Sequence, residues 1–178
     1  MAIEQYTESL TLKEMNCTIG RNSFGYVFPQ GDVPGIDKIG KLLKQAGGKP
    51  KECELEDYSQ GGKGKARPEY IITFDDDIHT IMVVECKNSV KKHSSKGINK
   101  PNMFAVDGVL YYAKFLKNEY NVIAIAISGT TKQNIKADTF YWAHGQNHYT
   151  ILEKAKDIIL EPQNYIDLIK GNKLTKAY

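Results

Sequence analysis

Apolar positions recur with helical spacing at Ile36, Ile39, Leu42, Leu43 and Ala46, and Gly47, Gly48 and Pro50 close the stretch as a C-terminal glycine and a following proline do. The spacing predicts one amphipathic helix over residues 36–46. Residues 70–74, Tyr70-Ile71-Ile72-Thr73-Phe74, are aromatic and β-branched. The turn cluster Asp75-Asp76-Asp77 follows, and then a second strand-like run over 80–84. Together they predict a β-hairpin. Residues 103–116 carry Phe104, Val106, Val109, Leu110, Ala113 and Leu116, a wide apolar helical face. Residues 121–127 are nearly all apolar and too few for an ordinary helix, which predicts a central strand covered on both faces and ended by Ser128-Gly129-Thr130. Phe140, Tyr141 and Trp142 predict a further strand over 139–143, and residues 151–160 read as a helix. The order helix, hairpin, helix, strand, strand, helix belongs to the α/β class.

Residues 1–34, with Phe24, Tyr26, Val27 and Phe28, carry no pattern that assigns them to an element, and residues 162–178 read as a helix start running into a basic tail. The expected organisation is therefore an N-terminal segment over 1–34, a core over 35–160 and a C-terminal helix or linker over 161–178 leading to further domains of a longer parent protein. At 178 residues one domain buries about 70% of its unfolded surface and needs no staple. Three cysteines, Cys17, Cys53 and Cys86, give no paired framework. The longest apolar run, Val122 to Ile127, is far below the roughly 20 residues of a membrane-spanning helix. The start, with Glu4, Glu8 and Glu14, lacks the basic and apolar regions of a signal peptide, so a cytoplasmic protein is expected.

The net charge of +3 is small; its distribution changes the picture. Glu52, Glu54, Glu56 and Asp57 are followed by an acid-free stretch to Pro68 that carries Lys63, Lys65 and Arg67. After Lys87 there is again no acid before Asp107, while Lys91, Lys92, His93, Lys96 and Lys100 accumulate. Either stretch alone is ordinary solvated surface. Placed on both sides of one apolar hairpin, the two suggest an anion-facing surface.

Glu69 opens the first hairpin strand behind Pro68, and Glu85-Cys86-Lys87 closes the second, so the hairpin returns the two acids to neighbouring positions. Strand periodicity puts Glu85 and Lys87 on one face and Cys86 on the other. Charges at the end of an apolar run need compensation. Mg²⁺ supplies it well, because it takes one or two carboxylates together with water and phosphate oxygens. A salt-bridged strand end explains Glu-x-Lys in isolation; the flanking basic stretches, the helix and the buried strand favour a site.

This ordered set resembles the PD-(D/E)xK nuclease superfamily, and within it the N-terminal nuclease domains of bacterial restriction-modification proteins, both type I restriction subunits and fused nuclease-methyltransferases. The likeness spans roughly residues 35–130. It runs from Ile36-Asp37, Leu42-Leu43 and Ala46-Gly47 through Gly62-Lys63-Gly64-Lys65, Pro68-Glu69-Tyr70-Ile71-Ile72 and Val84-Glu85-Cys86-Lys87. It continues with Lys92-His93-Ser94 and Ala105-Val106-Asp107-Gly108 to Ser128-Gly129. The resemblance implies a restriction-endonuclease-like fold, a central mixed β-sheet flanked by helices. It implies Mg²⁺, with Mn²⁺ as a substitute, held by Glu69 and Glu85, with Lys87 positioning or activating the attacking water and Asp37 as a fourth polar group. Double-stranded DNA would be held by Lys63, Lys65, Arg67, Lys91, Lys92, His93 and Lys96. Methyltransferase, helicase or specificity domains of the parent enzyme would choose the sequence. Two positions depart from the pattern: the first acid is usually aspartate, and Asp107, with Tyr111 and Tyr112 behind it, stands where relatives often carry glutamine.

Other signals are weaker. His144 and His148 read as surface histidines rather than a zinc site. Asp75-Asp76-Asp77 reads as turn chemistry, Gly61-Gly62-Lys63-Gly64-Lys65 as a flexible basic loop without the full phosphate-loop spacing, and Cys86 as a core residue. The rival readings are a catalytically silent DNA-binding or assembly module of the same fold, and a repair or junction-resolving nuclease.

Overall fold

The computed structural model describes residues 4–57, 63–152 and 157–176. Among them, seven strands form one mixed sheet: β1 (Gly20–Arg21), β2 (Tyr26–Pro29), β3 (Tyr70–Phe74), β4 (Asp77–Lys87), β5 (Asn121–Ser128), β6 (Lys136–Trp142) and β7 (Thr150–Ile151), lying side by side in sequence order. Every pairing is antiparallel except β4 with β5. That parallel pair needs a crossover, which helix α3 (Ala105–Leu116) supplies. Four helices flank the sheet, so the fold is α/β as the pattern predicts. None of the described helices is long and apolar enough to cross a membrane.

Strand parity divides the core into two layers. Ile71, Ile81, Val83, Val122 and Ala124 face one way and pack under α2 (Asp37–Ala46) and α3. Ile72, Met82, Val84, Cys86, Ile123 and Ile125 face the other way, toward Met15 and the Tyr165, Ile166 and Ile169 side of α4 (Pro162–Lys176). Strands β4 and β5 are covered on both faces, which is why residues 121–127 read as a continuous apolar run. The parity matters for function: Glu85 lies two residues beyond Val83 and therefore enters the layer under α2 and α3.

The predicted helix over 36–46, the hairpin, the helix ending at Leu116 and the strands at 121–128 and 136–142 are all present. Two regions differ. Residues 150–151 form the sheet's edge strand, the described part of 157–160 is not helical, and the next helix begins at Pro162, whose fixed φ suits a first helical position; residues 153–156 of the expected helix lie outside the described residues. The N-terminal segment, unassigned from the pattern, contributes helix α1 (Glu4–Glu14) and two strands, and β2 pairs with β3 in register. Residues 20–29 thus belong to the same sheet as the expected 35–160 core, and α4 closes one of its layers.

Helix α1 escapes a hydrophobic reading because its buried face carries hydroxyls. Thr7 and Thr11 are fully buried. Thr7 Oγ1 donates to the Gly129 carbonyl at 2.6 Å, and Thr11 Oγ1 donates to the Thr7 carbonyl at 2.7 Å. The helix is pinned across the ends of β4 and β5 by hydrogen bonds where an apolar stripe would ordinarily serve.

Candidate active site

The hairpin register pairs Tyr70 with Val84, so Glu69, just before β3, and Glu85, just after Val84, stand opposite each other at its open end. Glu85 is only 2% exposed. Its Oε2 is ion-paired with the Lys49 ammonium, which arrives from the bend after α2. The Lys49 nitrogen also lies 5.3 Å from the centroid of the Tyr112 ring on α3. Burial, and then the negative charge of Glu85 and Glu69, hold the Tyr112 hydroxyl well above its usual titration range.

Glu69 is half-buried. Gln30, at the end of β2, donates its Nε2 to Glu69 Oε2 at 2.8 Å, and Glu8 of α1 shares a hydrogen bond with the same carboxyl. Burial, the Glu8 contact and the Glu85 charge push the Glu69 carboxyl up to about 9 from its ordinary 4.5. A group whose folded form prefers the proton costs nothing below its unfolded pKa and progressively more above it, until the folded pKa is passed. In protein free of divalent cations, the Glu69 contribution should therefore make the melting temperature fall as pH rises from about 4.5 to about 9. Thermal melts across that window check this, and Glu69→Gln should flatten the slope relative to the unaltered chain.

Lys87 ends β4 on the same face as Glu85, half-buried, and donates to the Asn102 carbonyl at 3.3 Å. Space for the group comes from Gly108 on α3. A Cβ there would stand 2.9 Å from the Pro101 carbonyl oxygen, 3.1 Å from Glu85 Oε2 and 3.4 Å from Lys49 Cδ. Gly108→Ala should lower stability by about 1–3 kcal/mol in urea denaturation and loosen the Glu85–Lys49 pair. Beside it, the Tyr111 hydroxyl donates to the Ala46 carbonyl, with the Gly48 carbonyl 3.4 Å away, fixing the bend that aims Lys49.

The structure brings Glu69, Glu85 and Lys87 to one end of the sheet and leaves Asp37 out. Asp37 is exposed at the first turn of α2, and Lys49 follows the last, so the length of the helix, about 14 Å, separates Asp37 from the carboxylates. Its neighbour Lys38 pairs with Glu119 at 3.9 Å instead.

Lys63, Lys65 and Arg67 lie on the segment that enters β3, held along the end of α2 by Gly48 N–H to the Lys63 carbonyl at 3.2 Å and Ala66 N–H to the Leu43 carbonyl at 3.0 Å. Lys91 and Lys92 sit on a single 3₁₀ turn, Val90–Lys92, just beyond β4, and Lys96 follows. Lys63, Arg67, Lys91, Lys92 and Lys96 are exposed, on the segments that precede β3 and follow β4.

His93 is a correction: it is buried and cannot meet DNA. Its Nδ1 lies 2.7 Å from Ser128 Oγ and its Nε2 2.6 Å from Asp138 Oδ2, so it ties the basic loop to the ends of β5 and β6. Asp107 is likewise internal. It accepts from the Ser95 and Lys100 backbone N–H groups, at 3.1 and 2.9 Å, and from the Ser95 hydroxyl, which orders residues 95–100 rather than reaching the acids.

The weaker signals resolve simply. His144 is exposed and its Nε2 contacts the Asn118 carbonyl at 3.0 Å. Asp75 accepts from Arg21 at 2.8 Å and Asp77 from Thr80 Oγ1 at 2.8 Å, both as turn and strand-end partners. Cys86 faces the α1 layer, 3.6 Å from Thr11 Oγ1, where burial pushes its thiol well up. Gly61 and Gly62 lie outside the described residues.

Among the described residues no three His, Cys, Asp or Glu side chains gather closely enough to form a metal cage. A hard cation of the magnesium type asks for less: one or two carboxylates, with water completing the shell. Glu69 and Glu85, facing each other across the open end of the hairpin, are two carboxylates of the kind such an ion takes. Sequence reasoning missed Lys49, Gln30 and Glu8, and gave Gly108 and Tyr112, quoted in the resemblance, no role at the acids. Of the three missed, only Lys49 left a trace, as a charge inside the bend that stops α2. Compared with known proteins, the chain matches no family model, no curated protein and no solved structure.

Proposed function

We propose that this chain is a metal-dependent DNA endonuclease domain of restriction-endonuclease-like fold, the nuclease part of a cytoplasmic restriction-modification enzyme. The observation that carries the reading is the facing register of Glu69 and Glu85 at the open end of a buried hairpin, with Lys87 on the same side and exposed lysines on the segments before and after it. Glu69 and Glu85 would hold Mg²⁺ or Mn²⁺. Such an ion polarises the phosphoryl oxygen and makes a bound water nucleophilic near neutral pH. Lys87 would orient a water against the scissile phosphate. Lys63, Lys65, Arg67, Lys91, Lys92 and Lys96 neutralise the backbone of double-stranded DNA, giving affinity that falls steeply with salt and carries no sequence information. Sequence choice falls to methyltransferase, helicase or specificity domains of the parent enzyme.

The test is calorimetric titration of Mg²⁺ and Mn²⁺ into the protein, Glu69→Ala and Glu85→Ala, with plasmid nicking assayed on the same samples. Binding and nicking that both vanish in variants whose circular dichroism shows them folded support the reading. Absence of nicking with either metal overturns it. One observation favours a second reading, a silent DNA-binding module: the Lys49 ammonium already neutralises Glu85. That reading requires the protein to bind DNA and to take up no metal.

A further inference from the structure

The ion pair between Lys49 and Glu85 is built rather than incidental. The Lys49 side chain is 14% exposed and that of Glu85 2%. The backbone leading into Lys49 is held by the Tyr111 hydroxyl at the Ala46 carbonyl and by Gly48 N–H on the Lys63 carbonyl. The stem of Lys49 runs past Gly108, where any larger residue would intrude, and its ammonium faces Tyr112. A surface lysine in a chance pair has none of these constraints, and chance surface pairs are worth little.

The carboxylate it neutralises is one of the two that our functional reading gives to a metal. Glu85 cannot sit deep in the layer under α2 and α3 as an uncompensated anion. An ammonium and a divalent cation cannot both occupy the position next to Oε2, because like charges a few ångström apart repel strongly where water is scarce. Lys49 has a flexible four-carbon stem rooted in the bend after α2 and not on β4, so its ammonium can withdraw without moving the strand.

We propose that Lys49 is the resident counter-cation of the metal site: it pairs with Glu85 and holds it in place while no metal is bound, and a divalent cation binds by displacing it. Lys49 is thus a positioning residue whose competition sets metal affinity. The proposal rests on the assignment of Glu69 and Glu85 as metal ligands.

Two measurements test it. In calorimetric titration with manganese chloride, Lys49→Met should bind the ion about tenfold more tightly than the unaltered protein, since the competing charge is gone. Lys49→Arg should bind no more tightly than the unaltered protein. A purely structural lysine predicts the opposite sign for Lys49→Met, because a disturbed site binds worse. The second measurement uses the unaltered chain, so it decides even if Lys49→Met does not fold. Acylation of lysines, read by mass spectrometry, should rise several-fold at Lys49 in saturating manganese and stay unchanged there in Glu85→Gln. Equal or weaker binding by Lys49→Met, or unchanged acylation of Lys49 in a protein that binds manganese, overturns the proposal and leaves the nuclease reading standing. No binding by any of these proteins overturns both.

Discussion

Lys87→Ala should reduce plasmid nicking by at least about 10²-fold, the usual worth of a group that moves or orients a proton in the transition state. The protein should meanwhile keep its metal affinity and most of its affinity for DNA. Lys87 is the last residue of β4, paired in register with Ser128, so its backbone is fixed by the sheet while its side chain lies at the surface end. Removing it leaves Glu69 and Glu85 untouched and subtracts one cation from a surface that has several. Single-turnover nicking at saturating metal, beside fluorescence anisotropy with a labelled duplex, separates the two effects. Unchanged nicking in Lys87→Ala would remove this residue from the chemistry and with it the strongest reason to read Glu85 and Lys87 as one site.

Glu85→Ala should have the largest effect on the fold itself. The substitution leaves the Lys49 ammonium in a nearly closed pocket beside Tyr112 with its carboxylate partner gone. Breaking a buried pair from one side typically costs about 3–5 kcal/mol, whereas replacing both partners by apolar groups of similar size is often neutral. Urea denaturation should therefore show a large loss for Glu85→Ala and near recovery for the double change Glu85→Leu with Lys49→Met. If the double variant is as unstable as the single one, the two charges are not coupled.

Residues in contact across the site come from widely separated stretches, and this decides what could be read in advance. The hairpin is local and announced by β-branched strands around an aspartate turn, but its register is not set by the turn alone: Phe74 pairs with Asp77 while Thr73 pairs with Ile81, and this bulge is what sets Glu69 opposite Glu85. The helices over 37–46 and 105–116 announce themselves by apolar spacing, and the buried strand over 121–128 by its lack of polar positions. Helix α1 hides because threonines fill its inner face, and β1 and β2 hide because strands of two and four residues carry too few positions to show a period.

The same division runs through the site. Charge spacing located both basic stretches, but exposure is not a property of spacing. Hence His93 read as a DNA contact although Ser128 and Asp138 enclose it, and Asp37 read as a neighbour of the acids although the whole of α2 separates them. By itself the sequence determined the α/β class, the central hairpin and the common face of Glu85 and Lys87, because each of these depends on residues near one another in the chain. Only the tertiary structure decided that Glu8, Gln30 and Lys49 converge on those carboxylates. They come from a helix, the turn after β2 and a bend whose approach depends on how the two layers pack against the sheet, and no local period records that.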